Sequence, residues 1–404
     1  MRHRATWGLS AVVLLTVAML PAGTEDGATI DVRSLGAIGD GQADDTDAFA
    51  RALALGREQH KPVMVSVGQY RLTRAIRLEE QCLTGVACGG WPADSMPMPV
   101  LRIDHTDSPG VVLDAHASLL DLAILYPEGT QFPEEGGPPA VSLEGQGPTI
   151  SRVRIQYPYD GIMTAPGAFP GRARLSDIFI VSPKRDGVYL TKSLDVSQLR
   201  NIEVWCNVGL STGAGFRFGR NDDCQCSDLF AFQCQVGFEF DPDEDPGPGG
   251  GTFYGSLTNC STDACSLGYV VRGNHRLNVA NSDLVDHHAS LDVDGEQASV
   301  RLTGCWIQTN GAPAIRVTRA ANVSVANSLF TRAFAADFPY VEAAACGSLI
   351  VTGCQFRPLS RGIELGEGVQ RAVVVHNVFE SDQPAIVDRM GPDAKRILEP
   401  NVEG

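Results

Sequence analysis

The feature that most constrains the fold is a short pattern that recurs from about residue 119 onward. Each copy holds a strand in which apolar and polar residues alternate, a short turn with Gly, and a second short strand. The eleven copies begin at residues 119, 150, 175, 199, 226, 257, 279, 302, 325, 351 and 374. Successive copies are 22–31 residues apart, and loops such as PDEDPGPGGGT lengthen the spacing. A repeat of this length is typical of a solenoid.

The composition of the copies indicates which kind of solenoid forms. Their strands alternate with a period of two and are rich in Val, Ile and Phe, which excludes helical repeats. The L-x-x-L-x-L pattern of leucine-rich repeats is absent. The sequence therefore predicts an all-β protein, a single-stranded parallel β-helix of about eleven rungs over residues 100–390.

The cysteines fit this repeat. Small residues occupy one equivalent position of five successive copies: Cys260, Ser282, Cys305, Ser328 and Cys354. Because neighbouring rungs are about 4.8 Å apart, cysteines two rungs apart lie about 10 Å from each other, beyond the reach of a disulfide. We therefore expect free, buried thiols at these positions. Asn directly precedes the small residue at 259, 281 and 327, where it tolerates an unusual backbone bend.

Four other cysteines leave alternatives open. Cys82 with Cys88, and Cys224 or Cys226 with a neighbour, are candidates for disulfides. The paired C-x-x-C spacing of zinc sites is absent, so no metal ligands are predicted.

Charge and the N-terminal residues bear on partners and location. The net charge of −16 argues against nucleic acid and anionic membranes, because both need a basic surface on the protein. The first residues, MRHRATWGLSAVVLLTVAMLPAG, combine a basic start, an apolar run and a small-residue exit. This order predicts a signal peptide over 1–23 and a secreted mature domain over 24–404, in the periplasm or outside the cell. No later segment is apolar for long enough to span a bilayer.

Residues 33–53, RSLGAIGDGQADDTDAFARAL, hold a glycine-rich acidic turn. The spacing fails as an EF-hand loop, because the twelfth position counted from Asp40 is Arg51 and not Glu. It also lacks the glycine spacing of a Rossmann fingerprint. Asp44, Asp45 and Thr46 suit a helix N-terminus. We therefore expect a strand, a turn and a capped helix, followed by a strand at 63–67.

Together with VMVSVGQYRL, which follows, this stretch resembles the N-terminal signature of the pectate-lyase-like superfamily. The resemblance implies a right-handed parallel β-helix in which residues 31–80 form a small α/β cap without catalytic residues. That superfamily includes polysaccharide lyases, polygalacturonase-like glycoside hydrolases, epimerases and phage tailspikes. The resemblance therefore indicates the fold more narrowly than the reaction.

Two adjacent copies contain the same turn, in PYDGI and KRDGV, so Asp160 and Asp186 are expected to stack about 5 Å apart. Two close carboxylates are what a retaining glycosidase needs, one as nucleophile and one as an acid with a raised pKa. The resemblance also allows two such acids to hold Ca²⁺, as in polysaccharide lyases of this fold. Alternatively, Asp-Gly is a common turn dipeptide whose carboxylate binds backbone N–H groups.

Residues around this pair are candidates for contacting a substrate. Tyr159 and Tyr189 offer aromatic faces to sugar rings. Lys184 is a candidate catalytic base for a lyase, and Arg185 and Lys192 are candidates for binding a uronate.

A second set of polar residues follows the second strands of later copies and is expected to form one acidic rim. Its members are Asp222, Asp223, residues 241–245, His275, Arg276, Asp292 and Asp294. Asp222 and Asp223 are catalytic candidates, and His275 and Arg276 are substrate-binding candidates. The sequence NDDC at 221–224 is similar to the aspartate pair of polygalacturonases, but the Gly-His-Gly of that family is absent, so only Asp186 matches its first catalytic Asp. The motif DHH at 286–288 is a further candidate.

These observations predict a secreted carbohydrate-active enzyme that cleaves a polysaccharide in a groove along the solenoid. Hydrolysis, which needs no cofactor, is favoured over β-elimination because acidic candidates outnumber basic ones. The alternatives are a polysaccharide lyase, with Ca²⁺ as a possible cofactor, and a non-catalytic glycan-binding solenoid. The expected state is a monomer or a homotrimer, without nucleic-acid or membrane partners.

Overall fold

The computed structural model describes residues 28–86, 97–133, 136–207, 211–242, 251–358, 360–380 and 384–403. The chain winds into a parallel β-solenoid of about 14 turns, which confirms the predicted fold class. Successive turns stack their strands into three parallel sheets, which we name A, B and C in chain order. Apolar side chains from the three sheets fill the interior.

The elements are as follows. Sheet A contains Ile30–Asp31, Val63–Val65, Cys82–Gly85, Phe253–Thr258, Arg276–Ala280, Arg371–Val375 and Lys395–Ile397. Sheet B contains Asp40–Asp44, Gly68–Leu72, Pro99–Ile103, Ser261–Cys265, Asp283–Asp286, Trp306–Thr309, Leu329–Thr331, Gln355–Phe356, Val378–Phe379 and Val402–Glu403. Sheet C contains Ile76–Leu78, Val111–Leu113, Pro139–Leu143, Asp160–Thr164, Val188–Leu190, Ala214–Phe218, Val236–Phe240, Leu267–Arg272, Arg361–Val369 and Ile386–Asp388.

Several long strands bend from one sheet into the next. Those that run from sheet A into sheet B are Ser118–Leu125, Thr149–Gln156, Arg174–Val181, Gln198–Trp205 and Asn221–Phe232. Those that run from sheet C into sheet A of the following turn are Leu291–Thr303, Ile315–Ala326 and Pro339–Thr352. The described helices are the 3-10 helix Val32–Leu35 and the α-helix Thr46–Gln59.

The repeat starts read from the sequence lie side by side in sheet A. Each start pairs with the next in parallel register, from Leu119 through Val374. The predicted number of rungs was nevertheless too small, because Ile30, Val63 and Leu83 precede Leu119 in the same register. These early turns were not predicted because the α-helix and the short strands interrupt the spacing of the repeat.

The segment 31–80 both caps the solenoid and begins it. The α-helix buries Phe49 and Leu53 against the first strands. The buried Asp45 carboxylate holds the glycine-rich turn, since it accepts hydrogen bonds from the backbone N of Ile38 (2.6 Å) and of Gly39 (3.1 Å). Strands of the same segment pair in parallel with the following turns, so they are already part of the sheets.

A left-handed backbone residue marks the corner between sheets A and B. Asn259, Asn281 and Asn327 have φ of 54°, 53° and 50°. Asn adopts this conformation more readily than most residues, which explains its recurrence there. Gly304 and Gly353, with φ of 68° and 66°, occupy the same place in the intervening turns.

The residues after these corners form the buried ladder that the repeat predicted. Cys260, Ser282, Cys305, Ser328 and Cys354 are at most 3% exposed. The backbone N of Cys260 donates to Ser282 Oγ (3.0 Å), and that of Cys305 donates to Ser328 Oγ (3.2 Å). The three cysteines are free, as predicted.

The structure pairs cysteines that the sequence did not single out. A disulfide joins Cys206 and Cys234 on adjacent turns, with their Cα atoms 4.8 Å apart. Cys224 and Cys226 are buried free thiols with sulfurs 3.8 Å apart, so the bridge considered for either of them is not formed. Cys82 has no disulfide partner among the described residues, and Cys88 lies outside them.

Peptide mapping of the unreduced, alkylated protein checks the register of the ladder. We expect Cys260, Cys305 and Cys354 to alkylate only after unfolding, because burial raises the pKa of the Cys260 thiol to about 12 and that of Cys354 to about 11, and the thiolate is the reactive form. The half-buried Cys82 is the internal comparison and should alkylate first. A disulfide between any two of the three ladder cysteines would contradict the register.

Within the described part of the chain, no helix is both long and apolar enough to cross a membrane. The predicted signal peptide at 1–23 lies outside the described residues.

Candidate active site on the outer face of sheet C

The outer face of sheet C presents one side chain per turn from a single register position. In turn order these residues are Met163, Tyr189, Arg217, Glu239, Val270, Asp292, Arg316, Glu342 and Glu364. We call them the outer row. Their neighbours in each strand point inward because successive side chains of a strand face opposite ways. Phe238 and Phe240, for example, are buried on either side of Glu239.

Three carboxylates surround the Arg217 guanidinium in the outer row. Asp241 Oδ2 accepts a hydrogen bond from Nη2 (2.9 Å), Glu239 Oε2 lies 3.5 Å from Nε, and Asp186 Oδ2 lies 3.7 Å from Nη1. The guanidinium carbon also lies 5.1 Å from the centre of the Tyr189 ring. We name these five residues the Arg217 cluster.

The Arg217 cluster contains a carboxyl group that is shifted toward its neutral form. Burial raises the pKa of Glu239, and the neighbouring Asp241 carboxylate raises it further. The Glu239 side chain is still 24% exposed, so a ligand can reach it. A carboxyl with a raised pKa that faces solvent is what a general acid requires.

Two atoms of the cluster have unused hydrogen-bonding capacity. Asp186 Oδ2 and Arg217 Nε are buried and lack a hydrogen-bond partner among the described residues. Buried polar atoms are nearly always paired in folded proteins. The cluster therefore holds two buried polar atoms without the hydrogen bonds that most such atoms make, although both lie within ion-pair distance of an opposite charge.

The preceding turn adds aromatic and basic groups to the same surface. Lys184 Nζ lies 5.7 Å, and the Arg185 guanidinium carbon 5.2 Å, from the centre of the Tyr159 ring. Arg185 Nε is 3.7 Å from Asp186 Oδ2, which connects this group to the Arg217 cluster. The structure therefore brings together the predicted residues Tyr159, Lys184, Arg185 and Asp186, and Tyr189 lies with them.

Asp160 and Asp186 lie in register on adjacent turns, as the shared turn sequence indicated. The backbone N of Asp186 donates to Asp160 Oδ1 (3.0 Å), and both side chains are buried, at 1% and 2% exposed. Arg185 donates to both Asp160 oxygens, from Nε (2.9 Å) and Nη2 (2.5 Å). Asp186 Oδ1 accepts from the backbone N of Ala214 (2.8 Å). Asp160 thus holds the turn, whereas Asp186 keeps one oxygen directed at Arg217; a catalytic role for either stays a prediction.

The other predicted residues lie beyond the opposite end of the sheet C strands, where the chain enters sheet A. The Tyr254 hydroxyl donates to Asp222 at the start of strand Asn221–Phe232, and Asp223 follows with φ of 48°. Arg276 is exposed and pairs in register with Tyr254. Lys192 follows the strand that carries Tyr189. Asp222, Asp223, Tyr254 and Arg276 form a second polar group, whereas Lys192 Nζ lies 5.9 Å from the centre of the Phe169 ring.

The prediction of a single acidic rim was wrong, because its residues lie in different environments. His275 is fully buried, and its Nδ1 accepts from the backbone N of Phe253 (2.9 Å), so it supports the chain. Asp292 is held between Arg272 and Arg316, each 2.7 Å away. Of the acidic run at 241–245, Asp241 joins the Arg217 cluster and 243–245 lie outside the described residues.

Arg217 and Glu239 were not among the predicted site residues. The segments GVYL, GFRF and GFEF each place one outward residue between two core residues after Gly. Aligning this position over the repeat would have placed Tyr189, Arg217 and Glu239 on neighbouring turns. The prediction instead favoured aspartates in turns, and the carboxylates of these aspartates face the backbone.

No three His, Cys, Asp or Glu side chains come together as a metal site in the described ranges. In the Arg217 cluster the guanidinium lies between the three carboxylates and balances part of their charge.

Asp286 of the DHH motif is an inward-pointing carboxyl in sheet B. It is 3% exposed, and its Oδ2 accepts a hydrogen bond from Thr262 Oγ1 (2.9 Å). Burial raises the pKa of Asp286 to about 8. His287 and His288 are exposed, so the motif does not form a shared site.

Asp286 should make stability depend on pH. The folded state keeps its proton up to about pH 8, whereas the unfolded state loses it above the ordinary value of 3.8. Because the unfolded state then binds fewer protons, the free energy of unfolding should fall as pH rises from about 4 to about 8. Denaturant unfolding of Asp286→Asn should lack this component, and the matched change at exposed Asp283 on the same strand should retain it. Equal pH dependence in both variants would contradict the assignment.

Comparison with known proteins supports the fold. No protein-family model matches the chain, and no curated protein matches it. Among solved structures, the A-module of mannuronan C-5 epimerase AlgE6 from Azotobacter vinelandii is similar with a TM-score of 0.59 and 14% identity, over 93% of this chain and 99% of that one. The N-terminal fragment of bacteriophage Phi29 gene product 12 is similar with a TM-score of 0.61 and 15% identity, over 92% of this chain and 71% of that one. The catalytic domain of a GH87 alpha-1,3-glucanase in complex with nigerose is similar with a TM-score of 0.56 and 13% identity, over 95% of this chain and 70% of that one.

These similarities define the class of protein. The chain is a right-handed parallel β-helix protein, and its fold is the one implied by the resemblance of its N-terminal motif to the pectate-lyase-like superfamily.

Proposed function

We propose that the protein is a carbohydrate-active enzyme that hydrolyses a polysaccharide on the outer face of sheet C. The observation that carries this proposal is the pairing of Glu239, whose pKa is raised, with Asp241 at one guanidinium. Tyr189, two turns before Glu239 in the outer row, lies against the same guanidinium, and Tyr159 lies one turn further back beside Arg185. Two carboxyl groups in different electrostatic environments are the chemical requirement for glycoside hydrolysis.

The two carboxyl groups have separate roles. Glu239 passes its proton to the glycosidic oxygen as the bond from that oxygen to the anomeric carbon breaks. Asp241 either attacks the anomeric carbon or removes a proton from the attacking water. Contact with the same guanidinium keeps the two groups within about 9 Å of each other, inside the outer limit for paired glycosidase carboxyls.

The surroundings of the pair suit an extended sugar chain. The Tyr159 and Tyr189 rings offer faces for sugar rings, and exposed Lys184 supplies a hydrogen-bond donor at one end. The next two members of the outer row, Val270 and Asp292, are buried, so the open part of the row that a sugar chain can follow lies on the turns of Tyr189, Arg217 and Glu239.

The neighbouring structures support the substrate class. One is an epimerase of mannuronan, and another is an alpha-1,3-glucanase solved with nigerose. Both are proteins of the same fold whose names refer to polysaccharides or their fragments. The choice of hydrolysis comes from the Arg217 cluster alone.

A β-eliminating polysaccharide lyase is the second candidate. It is favoured by three cationic side chains on two neighbouring turns, Lys184 and Arg185 against the Tyr159 ring and Arg217 against the Tyr189 ring, which supply positive charge for a uronate carboxylate. In this alternative Lys184 is the base, and Ca²⁺ is a cofactor to be tested.

A polysaccharide panel separates the candidates. The purified protein is incubated with neutral polysaccharides and with polyuronates, and both new reducing ends and the ultraviolet absorbance of unsaturated uronates are followed. Hydrolysis predicts reducing ends without new absorbance, with activity retained in a chelator. Absorbance that requires Ca²⁺ would establish the lyase alternative, and the absence of any product would favour a glycan-binding solenoid.

We also propose that the protein is exported and acts as a monomer or homotrimer. The disulfide between Cys206 and Cys234 supports export, because such bonds persist in oxidising compartments. N-terminal sequencing of protein recovered outside the cytoplasm should begin near residue 24, and light scattering gives the oligomeric state.

A further inference from the structure

Aromatic side chains occupy positions on the outside of sheet B that the proposed chemistry does not use. Phe179, Trp205, Phe230 and Phe232 lie on three consecutive turns and are half-buried. Their rings contact one another, with centroid distances of 5.6 Å for Phe179 and Trp205, 5.2 Å for Trp205 and Phe232, and 6.2 Å for Phe230 and Phe232. We call this group the sheet B aromatic patch.

A polar pocket adjoins this patch at the corner between sheets A and B. It has a volume of about 610 Å³. Phe230 forms one wall, and Arg200 and Glu203 are exposed around it. A volume of this size accommodates a small organic ligand.

Hydrogen bonds fix the amide and carboxylate groups that line the pocket. Asn201 Nδ2 donates to Asp177 Oδ1, and Asn259 Nδ2 donates to Asp228 Oδ1, each at 2.8 Å. All four residues are in the left-handed conformation that forms the corner, with φ between 51° and 56°. Their polar groups therefore stand at a regular spacing along the solenoid, about 4.8 Å per turn.

We propose that the pocket and the sheet B aromatic patch form a second glycan-binding surface, separate from sheet C, for an uncharged sugar chain. Flat rings beside fixed carboxylates and amides match a sugar, which has an apolar ring face and many hydroxyl groups. The pocket contains three carboxylates, Asp177, Glu203 and Asp228, against one guanidinium, so it disfavours a polyuronate. The same negative charge, on a chain of net charge −16, disfavours a second copy of the protein as occupant.

The spacing of the rings supports a polymeric ligand. Phe179 and Phe230 share one register position two turns apart, with Glu203 between them. Two turns span about 9.6 Å, which is close to the length of two sugar units in an extended chain. The surface would hold a polysaccharide parallel to the solenoid axis without taking part in its cleavage.

Binding is measured by isothermal titration and affinity electrophoresis with the Glu239→Gln variant, which keeps the probe intact, so that the result does not depend on the proposed activity. The probes are dextran, xylan and galactomannan as neutral polysaccharides, and pectate and alginate as polyuronates. We expect at least one neutral probe to bind, and Phe230→Leu and Glu203→Gln to weaken its Kd at least tenfold. Trp306→Leu is the matched control, because Trp306 is an exposed aromatic in the same row of sheet B three turns further on.

Four results would overturn the proposal. These are no binding of any neutral probe, stronger binding of the polyuronates that Phe230→Leu weakens, binding of the neutral probes unaffected by Phe230→Leu and Glu203→Gln, and a dimer in sedimentation that Phe230→Leu dissociates. Glu203 is exposed, so its variant remains informative if Phe230→Leu fails to fold.

Discussion

Replacing Glu239 with Gln should lower kcat on the identified polysaccharide by about 100- to 10,000-fold, the contribution typical of a general acid. Gln keeps the shape and the polar contacts of the side chain but cannot deliver a proton. In the unchanged protein, activity should fall as pH rises through the raised pKa of Glu239, because the acid must be protonated to act. This decline at high pH should be missing from the residual activity of the variant.

The matched control is Glu342→Gln. Glu342 occupies the outer row on the same sheet, four turns further on, and is half-buried like Glu239. Its replacement should change kcat less than about twofold. The free energy of unfolding of both variants should stay within about 0.5 kcal/mol of that of the unchanged protein, as for most surface changes. Equal losses in the two variants, or full activity in Glu239→Gln, would remove Glu239 from the mechanism and direct attention to Asp186.

Replacing Arg185 with Met should destabilise the fold by about 3 kcal/mol, the low end of the range for breaking a buried ion pair. Asp160 is 1% exposed, and its carboxylate accepts two hydrogen bonds from Arg185 and a third from the backbone N of Asp186. Burial already raises the pKa of Asp160 against the opposing effect of Arg185. Without the guanidinium, the buried carboxyl would lose its charge partner and two hydrogen bonds. Denaturant unfolding at neutral pH measures the loss.

A double replacement distinguishes this explanation from simple loss of packing. Asp160→Asn removes the buried charge, so Arg185→Met should cost much less in that background. Arg172→Met is the control, because Arg172 pairs with the exposed Asp195 and surface pairs contribute little. If the two Arg replacements cost the same, or if Asp160→Asn does not relieve the loss, the ion pair is not what stabilises this turn.

The fold could be predicted because the repeat is visible in the sequence and has few possible structures. A strand that alternates in polarity and returns every 22–31 residues has few ways to bury its apolar face other than against the next copy. The starts from Leu119 to Val374 were therefore read in the correct register. The first turns were missed because Ile30, Val63 and Leu83 belong to short strands on either side of a helix, where the period is broken.

The candidate site could be predicted only in part. The stacking of Asp160 on Asp186 could be predicted from their shared turn sequence. Their burial could not, because it depends on a bend that directs each carboxylate at a backbone N–H of the following turn, that of Asp186 and that of Ala214. Arg217 and Glu239 sit inside strands that read as ordinary core segments unless every turn is aligned. The contact between them joins residues on different turns, which no single copy of the repeat reveals.

The most direct test of the account is a crystal structure of Glu239→Gln with an oligosaccharide of the polysaccharide that the unchanged protein cleaves. The account predicts that the sugar chain crosses the outer face of sheet C, with the glycosidic oxygen within hydrogen-bonding distance of the residue-239 side chain and the anomeric carbon or its water beside Asp241. A sugar chain bound across the catalytic candidates Asp222 and Asp223 instead, with sheet C empty, would contradict it.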